Sequence, residues 1–229
     1  MPALEKRRIG RTSVEVTVLG LGCATLGGSG IDVSRETAEA IVRAAWAAGV
    51  SYIDTAPYYG FGQAERCVGD AMRWAPRDEW VLSTKVGRLL RPRLMVEAAE
   101  HRRPMPFDAV YDYSYDGIMR SFEDSLQRLG LAGIDILYVH DIGALQHGDE
   151  AHPGLMRTLR DSGYRALEEL RAGGVVRRLA SASTSARYCS KLWNGGTGTR
   201  SFSPGAIPFS NRRRSRICCP YARRPAPLS

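Results

Sequence analysis

Along the first 176 residues, short apolar runs alternate with segments whose apolar residues recur every three or four positions. That alternation predicts strands followed by helices. The opening "RRIGRTSVEVTV" alternates polar and apolar residues and fits a hairpin. "VLGLGC" (18–23) predicts a buried strand running into a glycine-rich loop, "ATLGGSG". Ser34 is placed to cap a helix over "SRETAEAIVRAAWAAG", with Ile41, Ala45 and Ala48 on one face and Gly49 as its stop. "VSYID" is a second strand and "GQAERCVGDAMRW" a second helix. "EWVLSTKVG" is a third strand, and the Arg- and Pro-containing stretch 88–112 reads as an insertion loop. "YDGIMRSFEDSLQRLGL" carries Ile118, Phe122, Leu126 and Leu129 at helical spacing. A fourth strand, "IDILYVHD", and a fourth helix, "PGLMRTLRDSGYRALEELRAGG", complete the series.

Four strand–helix units in a row require parallel strands joined by crossover helices, as a doubly wound sheet or a (β/α) barrel. The polar residues decide between the two. Asp54, Lys85 and His140 each stand where an apolar strand ends, and in a barrel those ends converge on one mouth. The expected fold is therefore α/β, the N-terminal half (about four βα units) of a (β/α)8 TIM barrel over residues 1–176. Half a barrel leaves strands one and four as unpaired edges around an apolar interior, so poor solubility and little turnover are expected of the chain.

Composition changes this picture beyond residue 176. The net charge of +8 divides into 21 Lys/Arg against 24 Asp/Glu (−3) for residues 1–176 and 11 Lys/Arg with no acid (+11) for residues 177–229. That second segment has no sustained period and reads as a disordered basic tail. It is either a nucleic-acid-binding tail or a stretch translated out of frame. Back-translating residues 179–185 with chosen synonymous codons and regrouping two bases on gives Arg and then "LGVNE". The same offset over 201–212 gives "LFAGRYTLLEQ". Both look like strand ends with their loops, which favours a frameshift near residue 177. Five cysteines, an odd number without metal spacing, suggest reduced thiols and a cytoplasmic protein. No apolar run approaches the roughly 20 residues of a membrane span, and no signal-peptide core is present at the N-terminus.

The stretch "YIDTAPYYGFGQAE" (52–65) carries the chemistry: an acid, Asp54, ends a strand, and Tyr59 follows on a turn bracketed by Pro and Gly. A barrel mouth would bring a carboxylate (Asp54), a phenol (Tyr59), an ammonium (Lys85) and an imidazole (His140) together. A free phenol has a pKa near ~10, and a neighbouring cation is expected to lower it. The carboxylate would orient the lysine, and the imidazole would donate to a substrate oxygen. Such a set suits carbonyl–alcohol interconversion. It lacks a redox group, so a cofactor must supply the hydride chemistry.

In order, "LGLGCATLGG", "YIDTAPYYGFGQAE", "LSTKVGR" and "DILYVHD" resemble the aldo-keto reductase family. The resemblance implies a (β/α)8 barrel, NAD(P) as cofactor and a Tyr/Asp/Lys/His tetrad at Tyr59, Asp54, Lys85 and His140. It implies Gly22, Cys23 and Asp54 near the nicotinamide ribose, and a small sugar or aldehyde as substrate. "DILYVHDIGALQHG" is most similar to the members that oxidise aldoses at C1 or pyridoxal, which implies conversion of an anomeric hydroxyl to a lactone. The resemblance covers roughly residues 8–176. The family's asparagine after strand five appears only in the shifted frame, and its phosphate loops after strands seven and eight are absent.

Each residue also has a plainer reading. Asp54 alone could be a turn acid, Tyr59 a packed aromatic with Tyr58 as its twin, Lys85 a strand-end lysine and His140 a hydrogen-bonded core histidine. His101, His147 and His152 fall in predicted loops without ligand spacing, so no metal is expected. Asp141 either touches substrate or is a satisfied loop acid. "GLGCAT" matches a dinucleotide GxGxxG only loosely, since the third glycine is missing. A Rossmann-type dehydrogenase remains the alternative enzyme, and a barrel fragment with a basic tail the alternative binding module. A membrane partner is not expected, nor is nucleic acid the favoured one.

Overall fold

The computed structural model describes residues 4–9, 12–28, 32–93 and 105–182. Its centre is a five-stranded parallel sheet of β3 (Gly20–Gly22), β4 (Tyr52–Asp54), β5 (Val81–Val86), β8 (Ile134–His140) and β9 (Val176–Ala182), in that order. Ahead of it, β1 (Lys6–Arg8) and β2 (Glu15–Thr17) pair antiparallel as the expected hairpin. The crossovers are α1 (Arg35–Ala47), α2 (Gln63–Met72), α3 (Tyr115–Leu129) and the pair α4 (Ala144–Thr158) and α5 (Tyr164–Ala172).

The termini of these helices follow from their sequences. Ser34 caps α1 by accepting from the Thr37 amide at 3.2 Å, and Ser114 caps α3 by accepting from the Gly117 amide at 3.1 Å. Gly130 ends α3 in the left-handed region at φ 66°. Along α3, Ile118, Phe122 and Leu129 are buried and Leu126 packs half-buried beside them. The core-facing side of α1 differs from the expected one by a residue. Ala38 and Val42 are buried, whereas Ile41 is 38 % exposed. Several residues of α1 are alanine, so its sequence marks the inward side only weakly.

All seven residues of β8 are buried, as a strand covered on both faces requires. On one face Ile53, Leu82, Leu137 and Val139 join Val42, Val68, Ile118 and Phe122 of the helices. On the other, Tyr52, Ile136 and Tyr138 pack against Val14 and Val16 of the hairpin region. Each large apolar side chain buried this way contributes about 1.5–3 kcal/mol.

Four expectations change. The fourth strand is not an edge, because β9 pairs with it from Ile134↔Val176 to His140↔Ala182. Order therefore continues past residue 176. Parallel pairing uses backbone groups that any side chains leave available, and Val176 and Leu179 are buried despite their basic neighbours. The remaining part of the expected basic tail, 183–229, and the reading-frame expectation attached to it lie outside the described residues. Within 88–112, the insertion loop is in part a hairpin, with β6 (Arg88–Pro92) paired antiparallel to β7 (Phe107–Tyr111). Its β7 arm alternates half-buried and exposed, while β6 runs from buried Arg88 and Leu89 to exposed Arg91 and Pro92, a pattern the Arg and Pro content masked. Finally, helical structure starts at Ala144 rather than at Pro153, with a break at Gly148 (φ 74°) and a π-helical turn over Leu159–Gly163. Gly148 and Pro153 made this stretch read as loop.

Candidate active site

Asp54 and His140 are the last residues of β4 and β8, and Lys85 is the penultimate residue of β5. These strands are parallel neighbours, so their C-terminal ends lie side by side. Residues two apart on a strand share a face. Asp54 therefore lies on the face of Tyr52, and Lys85 on the face of Ser83.

The Lys85 ammonium is the hub. It donates to Asp54 Oδ1 and Oδ2 at 3.1 and 2.9 Å and to the Thr55 carbonyl at 2.8 Å. It also stands 4.7 Å from the centre of the Tyr59 ring, where its charge acts on the phenol. Burial works against this charge, but Asp54 and then Tyr59 outweigh it and hold the lysine above its ordinary pKa. Ser83 Oγ donates to Asp54 Oδ1 at 2.6 Å and lies 3.0 Å from the Tyr52 hydroxyl. The carboxylate thus sits in a fixed frame of donors.

The position of Tyr59 depends on glycines. Gly27, in the loop after β3, packs backbone to backbone on the Tyr59–Gly60 peptide, where a Cβ would overlap the Tyr59 carbonyl carbon. Gly60 adopts φ 64° and would strike Gly27 in the same way. The glycine-rich loop therefore holds the tyrosine turn. The turn leads straight into α2, whose Glu65 is buried and accepts from Arg128 of α3 and from Thr84 of β5. The phenol itself departs from expectation. Burial raises the Tyr59 pKa, and the opposing effect of Lys85 is the second influence, so the net shift is upward. The ammonium acts by limiting a rise that burial imposes.

His140 is buried, and its pKa lies well below the ordinary imidazole value through burial first, then Arg88 and Lys85. The ring is neutral at pH 7. Its Nε2 stands 3.4 Å from Asp141 Oδ2, while Nδ1 is buried without a hydrogen-bond partner. The ring meets Tyr59 edge-to-face at 6.2 Å between centroids. Asp141 itself has φ 48°, an uncommon conformation for a non-glycine residue.

For a dinucleotide, the fit differs among the three expected positions. Gly22 is exposed with open space where a Cβ would stand, so its backbone can be approached closely. Cys23 is fully buried, its amide donates to the Asp54 carbonyl at 2.9 Å, and burial pushes its thiol pKa up. It shapes the strand end and offers no free group. Asp54 has its carboxylate engaged by Lys85 and Ser83. Among the described residues, no group of three or more His, Cys, Asp or Glu is placed to hold a metal ion. His147 and His152 lie on α4, not in loops, and His152 Nδ1 is 2.8 Å from the Ile142 carbonyl. His101 lies outside the described residues.

Residues not expected from sequence complete the mouth. Arg88, the first residue of β6, ion-pairs with Asp141 Oδ2 at 2.6 Å and faces the rings of Tyr58 and Tyr111 at 4.0 and 4.6 Å. Tyr113 donates to the His140 carbonyl at 2.7 Å and lies 3.1 Å from His147 Nε2. The strand-end rule that found Lys85 could also have found Arg88, three residues on. Its reading as part of an insertion loop hid it.

The aldo/keto reductase family matches residues 18–224 of this chain. A pyridoxal 4-dehydrogenase from Microbacterium luteolum is 46 % identical over 188 residues, 77 % of this chain and 55 % of that protein. A D-threo-aldose 1-dehydrogenase from a Pseudomonas species is 38 % identical over 180 residues, 73 % of this chain and 50 % of that protein. Among solved structures, an aldo-keto reductase from Bacillus halodurans in its holo form superimposes with a TM-score of 0.63 at 27 % identity, covering 85 % of this chain and 55 % of that one. The chain spans about half the length of these relatives. The five parallel strands and their helices are the part of a (β/α)8 barrel that it shares with them.

Proposed function

The chain belongs to the aldo/keto reductase family, and on that premise we propose that its site interconverts an alcohol and a carbonyl with NAD(P), oxidising an aldose at its anomeric carbon to a lactone. The observation that carries the reading is the Asp54–Lys85–Tyr59 cluster beside His140 at the ends of adjacent parallel strands.

In this reading Tyr59 takes the proton of the anomeric hydroxyl. Its phenolate is formed against the cost of burial, and the Lys85 charge offsets part of that cost. Asp54 keeps Lys85 charged and aimed, and Ser83 keeps Asp54 in place. His140, neutral, orients the substrate oxygen through an Nε2 hydrogen that its nearest carboxylate holds only at 3.4 Å. When bound, NAD(P) supplies the hydride acceptor; the open backbone at Gly22 and the outer edge of Asp54 are the groups of this chain that would border its ribose. An aldose oxidised at C1 carries a hydroxyl on C2, and the names of the two relatives above, an aldose and a pyridoxal dehydrogenase, favour a polar, oxygen-bearing substrate.

The test is sugar-dependent formation of NAD(P)H by the purified chain and its Tyr59→Phe variant. Slow turnover that the variant abolishes is the expected result. Turnover that survives the variant, or none from a folded wild-type chain, contradicts the proposal.

A further inference from the structure

The buried cation Arg88 is not used by the chemistry above. Arginine is almost never fully buried without a reason, yet this side chain is only 6 % exposed. One face of its guanidinium lies over Tyr58 and another against Tyr111. One terminal nitrogen holds Asp141 Oδ2 at 2.6 Å. Its Nε is buried and has no partner, and a buried donor left unpaired is destabilising. Such a group calls for an acceptor that arrives from outside.

Its surroundings locate that acceptor. Tyr58 and Asp141, two of its three partners, adjoin Tyr59 and His140 in the chain, and Asp141 Oδ2 is shared by the guanidinium and His140 Nε2. Asp141 thus bridges the guanidinium to His140, one of the groups proposed to hold the reacting oxygen. A donor, a carboxylate and two aromatic faces side by side match a carbon skeleton with an oxygen next to the reacting carbon. The carboxylate accepts from a hydroxyl, the guanidinium donates to its lone pairs, and the rings cover the C–H or aryl face.

We propose that Arg88 is a specificity-determining residue that donates to an oxygen on the carbon adjacent to the reacting one. The site then selects 2-hydroxy sugars or ortho-hydroxyaryl aldehydes over counterparts lacking that oxygen. The inference rests on the placement of the reacting oxygen at Tyr59 and His140 proposed above.

The experiment compares D-arabinose with its 2-deoxy counterpart, and 2-hydroxybenzaldehyde with benzaldehyde. Affinities are measured by calorimetric titration, and kcat/KM wherever turnover is measurable. The wild-type chain should favour the hydroxylated member of at least one pair by about tenfold, the scale of a single well-made hydrogen bond. The sugar pair reports an alcohol oxygen and the aryl pair a phenolic one. In Arg88→Met/Asp141→Asn, which removes both charges and leaves neither stranded, the ratio should fall to near one. Arg88→Lys keeps the charge without the planar fork and should lower the ratio by about threefold. A wild-type ratio near one in both pairs overturns the proposal without any variant, as does a ratio unchanged in the variants. Tyr59→Phe separates the two readings. Turnover that survives it sinks the assignment of Tyr59, while the binding ratio still judges Arg88.

Discussion

The two ends of the parallel sheet each hold a carboxylate paired with cations, and they differ in what is left over. At the N-terminal end, Asp135 is 2 % exposed, accepts from Arg77 at 2.6 Å and from the Leu82 amide at 2.8 Å, and ion-pairs with Arg177 at 3.2 Å. Its cations reach out to solvent, with side chains 37 % and 60 % exposed. At the C-terminal end the cations themselves are buried: Lys85 and Arg88 are each 6 % exposed. Three polar atoms there, Thr55 Oγ1, Arg88 Nε and His140 Nδ1, lack partners, and Asp141 holds an uncommon backbone conformation. Orphan atoms occur elsewhere too, at Trp80 and Arg178, but there they are not grouped around buried cations. A satisfied cluster fastens strands together; an unsatisfied one with buried charge awaits a ligand.

The sharpest way to break this comparison is to damage each end separately. Tyr59→Phe should lower sugar-dependent NAD(P)H formation by roughly 10²–10⁴-fold while leaving the melting transition in place. Asp135→Asn should do the reverse, costing about 1.5–3 kcal/mol because it removes the charge from a buried acceptor of several hydrogen bonds, with kcat/KM of the folded fraction little changed. Thermal melts and initial rates on both variants check this. A Tyr59→Phe chain that melts early and an Asp135→Asn chain that loses only rate would invert the assignment.

Gly27→Ala tests the support of the tyrosine turn. The added methyl must displace the Tyr59–Gly60 peptide, so stability should fall by about 1–3 kcal/mol and kcat should drop further than KM rises. Ser83→Ala is a smaller perturbation. It removes one hydrogen bond to Asp54, which should cost about 1–2 kcal/mol and reduce kcat severalfold, as steady-state rates would register.

The smallest effect concerns pH. The folded His140 pKa lies well below the unfolded one. The unfolded chain therefore binds a proton that the folded chain refuses, and stability is lost as pH falls below about 6.5. The slope from this group is about 1.4 kcal/mol per pH unit. Melting curves of His140→Gln should lack that component.

Much of the mouth was legible from the sequence, because short apolar runs that end at or beside Asp54, Lys85 and His140 mark strand ends directly. The register that places these ends side by side follows once the strands are parallel. The meeting of Arg88 with Tyr111 was not legible. The two meet across a hairpin whose arms are separated by residues outside the described set, and nothing local announces that Arg88 pairs with Tyr111. The start of α4 was hidden by Gly148, where the helix does break, and by Pro153, which the helix carries in its interior. The direction of the Tyr59 shift was misjudged for a related reason. A neighbouring charge can be read from sequence, whereas the burial that outweighs it is a property of the packed chain.

The most direct measurement is an ultraviolet difference titration of tyrosinate, wild type against Tyr59→Phe, repeated in a Lys85→Met background. The Tyr59 ionisation should lie above that of free tyrosine, about 10, and should move higher still when the lysine is gone. An ionisation that stays put or moves lower in Lys85→Met would mean that the ammonium does not act on the phenol, and the site would lose its acid–base pair.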